Sequence, residues 1–297
     1  MHLFLILILL IFQGKAPTMT KMTQHPVSFI FCISTGRSGT DYLKTLFDHS
    51  ENCHSFHEKD PICNGRAMYN YLRGRQNAMR KLTEQKTNKI QEITHDGSTY
   101  VETNHCFLKG FGWIIPQYIP EDKIGVVILT RDKTKTANSL LRTSSTPLTA
   151  VGKKWMVTPA AKGSFLKPPT RYLLPPKLTY LLFLCLKQLF RGKKLYTALG
   201  LKKPSTPQLI IDYEYECCKW YVEETAAQTK AYRNRFKNIS FYKVDLEELN
   251  HQSKIEEMFG HFGLVAKPSL IDIIGKPTNL KDQVIKPNQS TKNYYGD

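Results

Sequence analysis

The stretch FIFCISTGRSGTDYL, residues 29–43, constrains the fold of this 297-residue chain more than any other. Residues 27–33 form an unbroken apolar run bounded by turn formers, which predicts a strand buried on both faces of a parallel sheet. Apolar residues recur at helical spacing after Thr40, so residues 34–40 would join the end of this strand to the start of a helix. We therefore expect an α/β fold in which helices are layered on a parallel sheet.

The loop between this strand and helix has the composition of an anion-binding site. Gly36 and Gly39 let the backbone turn tightly and approach a ligand closely, and the free amides at a helix amino terminus attract negative charge. Arg37 adds a fixed positive charge and several donors that suit phosphate or sulfate. An ordinary strand-to-helix turn with a solvated arginine is the alternative interpretation.

A second strand-to-helix junction follows the apolar run at 124–129. Its sequence, TRDKTKTANSLLR, places Arg131 directly after the strand and Ser139 eight residues later. Ligands of open parallel sheets bind outside the carboxyl ends of the strands. If the two strands are neighbours, Arg37 and Arg131 would hold anionic groups at the two ends of one ligand.

Three shorter segments, 54–57, 100–103 and 240–244, bring the predicted sheet to about five strands. Residues 213–236 have the pattern of a long amphipathic helix. Prolines interrupt regular structure across 146–207, and we expect this part of the chain to be a basic, substrate-facing insertion.

Within that insertion, residues 178–190 are apolar almost all round. This segment is too short to span a bilayer, so it fits either a buried helix, the interpretation we favour, or a helix on a membrane surface. Three basic residues just beyond it, Arg191, Lys193 and Lys194, keep the second alternative open.

The charge of the chain is one-sided: 42 Lys and Arg against 25 Asp and Glu give a net charge of +17. Between residues 133 and 211 there are fifteen basic residues and no acidic one. Such a field favours anionic ligands, anionic polymers or a membrane surface, although a basic face can also serve solubility alone. We expect no specific nucleic-acid partner.

The seven cysteines cannot all pair within one chain, and their spacing shows no disulfide framework. One group, made of Cys53, His54, His57 and Cys63, combines cysteine and histidine, but it lacks the paired C-x-x-C spacing typical of zinc sites. We therefore expect no metal.

The amino-terminal segment is apolar from residue 3 to residue 12, about half the length of a bilayer span, and is similar to the core of a signal peptide. Residues 1–22 fit a cleaved signal or a short anchor; alternatively, the protein starts later, at Met19 or Met22. The compartment follows from that choice: the secretory pathway or a membrane in the first two cases, the cytoplasm in the third.

Two motifs carry a resemblance to a known family. STGRSGTDYL resembles the 5′-phosphosulfate loop of sulfotransferases that use 3′-phosphoadenosine 5′-phosphosulfate (PAPS), and VVILTRDKTKTANSLLR is similar to their 3′-phosphate-binding segment, with Arg131 and Ser139 at the matching positions. FYKVDLEEL, at 241–249, resembles a later strand of that fold. The resemblance implies a three-layer, P-loop-like fold, with residues 23–297 forming one sulfotransferase domain that includes the insertion at 146–207. It also implies PAPS as the co-substrate, without a metal.

The resemblance further implies how the donor is bound. The residues that would bind it are Gly36, Arg37, Ser38, Gly39, Thr40, Arg131 and Ser139. Many relatives have lysine where this chain has Arg37. Arginine does not readily donate a proton, so Arg37 would stabilise charge on the leaving oxygen instead.

A general base must remove the proton of the acceptor. Glu58 follows the second predicted strand, and some relatives that act on carbohydrates use a glutamate near this point, so Glu58 is our first choice. Glu102 and His105, after the third predicted strand, are the alternatives. Each also has a structural interpretation: Glu58 could pair with Arg66, and His105 could be a hydrogen-bonded histidine of the core.

These observations predict transfer of a sulfuryl group from PAPS to a hydroxyl or amine. The acid-free stretch favours an anionic glycan as the acceptor, while a lipid head group and a peptide stay open. A P-loop nucleotidase or kinase would need the pattern G-x-x-x-x-G-K-[ST] and magnesium, and GRSGT at 36–40 lacks that lysine and spacing. A protein that binds a nucleotide or polyanion on the same fold without catalysis is the second alternative.

Overall fold

The computed structural model describes residues 27–171, 173–191 and 206–276. The expectations for residues 1–22 lie outside the described residues. So does the part of the predicted insertion at 192–205.

The centre of the fold is a parallel sheet in the order β2-β3-β1-β4-β5. The strands are β1 Phe29–Ile33, β2 Cys53–Phe56, β3 Thr99–Glu102, β4 Ile124–Thr130 and β5 Ser240–Asp245. The apolar runs that predicted buried strands form β1 and β4, which pair directly, with Phe29 opposite Ile124 and Ile33 opposite Ile128. The predicted α/β class and the parallel sheet of five strands are thus confirmed, and the two strands that lead to the predicted junctions are neighbours.

Helices cover both faces of the sheet, which gives three layers. They are α1 Thr40–Asp48, α2 Gly65–Tyr71, α3 Asn77–Ile93, α4 Lys133–Arg142, α5 Pro176–Arg191, α6 Gln208–Arg235 and α7 Gln252–His261. One core cluster packs α1 and α7 on the sheet through residues such as Leu46 and Phe259. The other cluster packs α3, α6 and a run of short 3-10 turns on the opposite face, around Phe31, Phe107 and Tyr232. The long helix predicted at 213–236 is α6.

Helix α5 differs from the buried helix that we favoured for this segment. Tyr180 and Phe183 are buried in a cluster with Tyr213 and Cys217 of α6, but the opposite face of α5 leaves leucine side chains at the surface. The sequence is apolar on both faces, and the fold supplies a partner for only one of them. Within the described ranges, no helix has the length and apolar content needed to cross a membrane.

Candidate active site

The two predicted junctions lie side by side at the carboxyl edge of the sheet, because β1 and β4 are neighbours. The loop after β1, residues 34–39, leads into α1, which begins at Thr40. The segment after β4 leads into α4, whose first turn is capped by the Asp132 carboxylate, which accepts a hydrogen bond from the amide of Lys135. Ligands of open α/β sheets bind at this edge.

The loop after β1 has a backbone that its glycines make possible. Gly36, Arg37 and Gly39 have φ angles of 76°, 56° and 87°, in the left-handed region. A Cβ atom on Gly39 would lie 2.3 Å from a methyl carbon of Leu246. Beneath the loop, Tyr221 of α6 donates a hydrogen bond to the carbonyl of Thr35. The loop is therefore held in a tight turn against α6.

The structure brings Arg37, Arg131 and Ser139 together. Arg131 Nη1 donates to the carbonyl oxygen of Arg37 at 2.8 Å, and Arg37 Nε donates to Ser139 Oγ at 3.3 Å. Arg131 Nε is buried and has no hydrogen-bond partner among the described residues. Burial also lowers the pKa of the Arg131 guanidinium. Two guanidinium groups thus lie close together, and guanidinium groups suit anionic ligands.

These groups line one cleft of about 690 Å³, within the range typical of small-molecule sites. Gly36 and Gly39 of the loop line it as well, and so does Thr40, the first residue of α1. Two further cations, Lys135 and Arg142 of α4, also line the cleft. Ser38 is the exception among the predicted donor-binding residues. It is buried beneath the loop, where its hydroxyl pairs with that of Thr35 at 2.6 Å.

Glu58 and His105 also line this cleft. Glu58 Oε1 lies 2.5 Å from His105 Nδ1 and 3.9 Å from His57 Nε2. Burial raises the pKa of Glu58, but the hydrogen bond from His105 and the nearby positive charges outweigh it and lower the pKa overall. Burial lowers the pKa of His105 and outweighs the opposing effect of Glu58. At neutral pH the pair is therefore a carboxylate and a neutral imidazole that donates to it through Nδ1.

A buried lysine forms a hydrogen bond to the backbone of His105 in this Glu58–His105 pair. Lys109 Nζ donates to the carbonyl oxygen of His105 at 2.7 Å and lies 5.1 Å from the centre of the Tyr221 ring. Burial lowers its pKa to about 8. The ring of Trp155 packs edge-on against His105, with the ring centres 4.7 Å apart. Together these contacts fix the position of the imidazole.

Glu102, one of the alternative bases, does not line the cleft. It is fully buried, and both of its oxygens lie 2.8 Å from Lys86 Nζ. Tyr100 and Asn104 also donate to its carboxylate. Glu102 therefore acts as the centre of a buried polar network.

Sequence reasoning did not identify Lys109, Trp155, Lys135 or Arg142 as site residues. Lys135 and Arg142 have a visible signal, because they lie four residues before and three residues after Ser139, on the same face of a helix. Lys109 also lies near His105 in the sequence, four residues after it, whereas only the fold brings Trp155 to His105.

No protein-family model matches this chain. No curated protein matches it by sequence either. Among solved structures, the chain is similar to the "Sulfotransferase Domain from the Curacin Biosynthetic Pathway", with 10% identity, a TM-score of 0.41 and coverage of 82% of this chain and 76% of that chain. It is also similar to the "Crystal Structure of Sulfotransferase from Alicyclobacillus acidocaldarius", with 11% identity, a TM-score of 0.35 and coverage of 83% and 88%. Both neighbours are sulfotransferases.

Proposed function

We propose that this protein is a sulfotransferase that moves a sulfuryl group from PAPS to a hydroxyl or amine of an acceptor. The observation that supports this most is the direct contact between the two junctions. Arg131 donates a hydrogen bond to the backbone carbonyl of Arg37, and Arg37 donates one to the hydroxyl of Ser139. One cleft then offers cationic groups that the two ends of a doubly anionic nucleotide can reach.

The proposed roles follow from this arrangement. Arg131 and Ser139, which both line the cleft, bind the 3′-phosphate. The loop amides and the amino terminus of α1 bind the 5′-phosphate. Arg37 stabilises the negative charge that develops on the leaving oxygen.

The transfer is a displacement at sulfur. The acceptor oxygen or nitrogen forms a bond to sulfur as the bond from sulfur to the bridging oxygen breaks. The bridging oxygen leaves on 3′-phosphoadenosine 5′-phosphate and keeps the electron pair of the broken bond. The proton of the acceptor passes to the base, and the positive loop compensates the charge left on the nucleotide.

We assign the base to Glu58. Its lowered pKa keeps it ionised at neutral pH, and about a quarter of its side chain is exposed. His105 Nε2, by contrast, is buried and out of reach of solvent. We infer that His105 orients Glu58 by donating from Nδ1 and is not itself the base.

The acceptor that we favour is an anionic glycan, and this rests on charge. The acid-free stretch at 133–211 would attract a partly sulfated sugar chain. Hydroxyls and amines on other anionic carriers offer the same reacting groups.

The test is transfer of labelled sulfate from PAPS to a panel of glycans, glycolipids, peptides and small phenols. We expect transfer by the parent, with losses of about 10²-fold or more in Arg37→Ala and Glu58→Gln. Glu84→Gln, on the exposed face of α3, is the matched control and should behave as the parent. Binding of 3′-phosphoadenosine 5′-phosphate without transfer to any acceptor would instead support a non-catalytic binding protein.

A further inference from the structure

Helix α5 carries an exposed apolar stripe opposite its buried face. The α5 stripe consists of Leu178, Leu181, Leu182, Cys185 and Leu189. Its leucines are 53%, 49%, 38% and 57% exposed, in chain order. A surface helix of a globular protein normally turns its apolar side inward and its polar side to water. This helix has apolar residues on both sides, and only one side is packed against the protein.

The segment just before the stripe is also apolar and basic at its surface. Phe165 and Leu173 are exposed, and so are Lys167 and Lys177. Leu173 stands fully in solvent. Exposed apolar and basic side chains thus alternate along the chain from residue 165 to the start of the stripe.

Negative charge near this surface is neutralised where it contacts the segment. Glu214 of α6 pairs with Lys187 of α5, and Glu216 of α6 pairs with Arg171. No acidic residue occurs in the sequence between 133 and 211. The segment that carries the stripe thus has one sign of charge, and a complementary partner is anionic.

We propose that the α5 stripe docks this protein on an anionic membrane surface, with the helix lying in the plane of the interface. At 1.5 Å per residue, its 16 residues extend only about 24 Å, less than the hydrocarbon core of a bilayer. Leucine side chains enter the boundary between head groups and acyl chains, and the lysines meet lipid phosphates. A second copy of the chain is a poorer occupant, because it would bring like charges together.

The docking surface lies near the candidate active site. Helix α5 packs on Tyr213 and Cys217 of α6. One helical turn after Cys217, Tyr221 donates to the carbonyl of Thr35 in the loop after β1. Docking would hold the cleft close to the bilayer, whatever reaction the cleft performs. The proposal therefore stands or falls independently of sulfuryl transfer.

The first test is sedimentation of the full chain with vesicles of phosphatidylcholine, alone or with an equal part of phosphatidylglycerol. We expect the parent to sediment with the mixed vesicles and less with the neutral ones. Leu181→Glu should weaken partitioning by about tenfold. Val265→Glu is the matched control, because Val265 is an apolar residue in the loop after α7 and is 60% exposed. Equal binding by Leu181→Glu and the parent, or an equal loss in Val265→Glu, would overturn the proposal.

Charge is tested with a matched pair of lysines. Lys177→Glu, beside the stripe, should weaken binding to the mixed vesicles more than Lys89→Glu, which changes an exposed lysine of α3. The same loss in both variants would show that only overall charge matters and would overturn the proposal.

A label at Cys185 locates the contact directly. Cys185 is exposed, Cys53 is half-buried and the remaining five cysteines are buried. In a Cys53→Ser background, an environment-sensitive dye on Cys185 should shift to the blue when the mixed vesicles are added. An unchanged spectrum in protein that sediments with the vesicles would place the contact elsewhere and overturn the proposal.

Sedimentation equilibrium without lipid tests whether a second copy covers the stripe instead. If the parent forms a dimer that Leu181→Glu abolishes, and the parent does not bind vesicles, the stripe is a dimer interface and the membrane proposal is refuted.

Discussion

The carboxylate of Glu102 offers a sharp test of which glutamate is structural. Glu102→Gln keeps the shape of the side chain but removes its charge. The side chains of Glu102 and Lys86 are 0% and 1% exposed, and Lys86 Nζ lies 2.8 Å from the carboxylate of Glu102. In the variant, the buried ammonium of Lys86 would have no carboxylate to pair with. Breaking one side of a buried ion pair costs about 3–5 kcal/mol. For a domain of this size, that cost lowers Tm by roughly 10 °C.

The assay is urea unfolding followed by tryptophan fluorescence, together with the rate of sulfate transfer per folded molecule. We expect a large drop in the free energy of unfolding and near-parent transfer under conditions where the variant is folded. The double variant Lys86→Met with Glu102→Met should recover part of the stability, because no charge is then left unpaired. Glu84→Gln is again the exposed control.

The reasoning would be refuted by the opposite pattern. If Glu102→Gln unfolds at the same urea concentration as the parent but loses transfer, Glu102 acts in the reaction and the assignment of Glu58 fails.

Three further changes test the site. Glu58→Gln should lower kcat by about 10²- to 10⁴-fold in the transfer assay while the urea midpoint stays near that of the parent, because the side chain is partly exposed. Gly39→Ala should weaken calorimetric binding of 3′-phosphoadenosine 5′-phosphate more than Gly97→Ala does. Both glycines have a φ above 80°, but only a Cβ on Gly39 meets Leu246. Burial lowers the pKa of Lys109 to about 8 in the folded chain, against the ordinary value of 10.5. The unfolded chain therefore binds more protons between these values, and the free energy of unfolding should rise there with pH. Lys109→Met should lack that rise in urea titrations, and a rise equal to the parent's would contradict this cause.

Much of the fold was predictable because its signals are local. The apolar runs of β1 and β4 have no polar face, so each needs cover on both sides, and a parallel sheet under helices provides it. The loop between β1 and α1 was predictable for a similar reason, since Gly36 and Gly39 permit a turn that other residues strain.

The base site was only partly predictable, because its contacts join distant parts of the chain. Glu58 and His105 follow neighbouring strands, β2 and β3, so the sheet order brings them together. Nothing local distinguishes Glu102 from Glu58, since Glu102 ends the short strand β3 and Glu58 closely follows the short strand β2. Only the packing of α3, which supplies Lys86, makes Glu102 structural. The exposed face of α5 could not be predicted for the same reason. A segment that is apolar all round does not show which of its sides the fold will cover.

The central claim is that the two junctions bind the two ends of one nucleotide. Its most direct test is calorimetric titration of 3′-phosphoadenosine 5′-phosphate and of adenosine 5′-phosphate, which lacks the 3′-phosphate, into the parent and Arg131→Ala. We expect the parent to prefer the first nucleotide by roughly tenfold to a hundredfold, as charge-assisted hydrogen bonds allow, and Arg131→Ala to lose most of that preference. Equal affinity of the parent for both nucleotides, or a preference that survives Arg131→Ala unchanged, would contradict the claim.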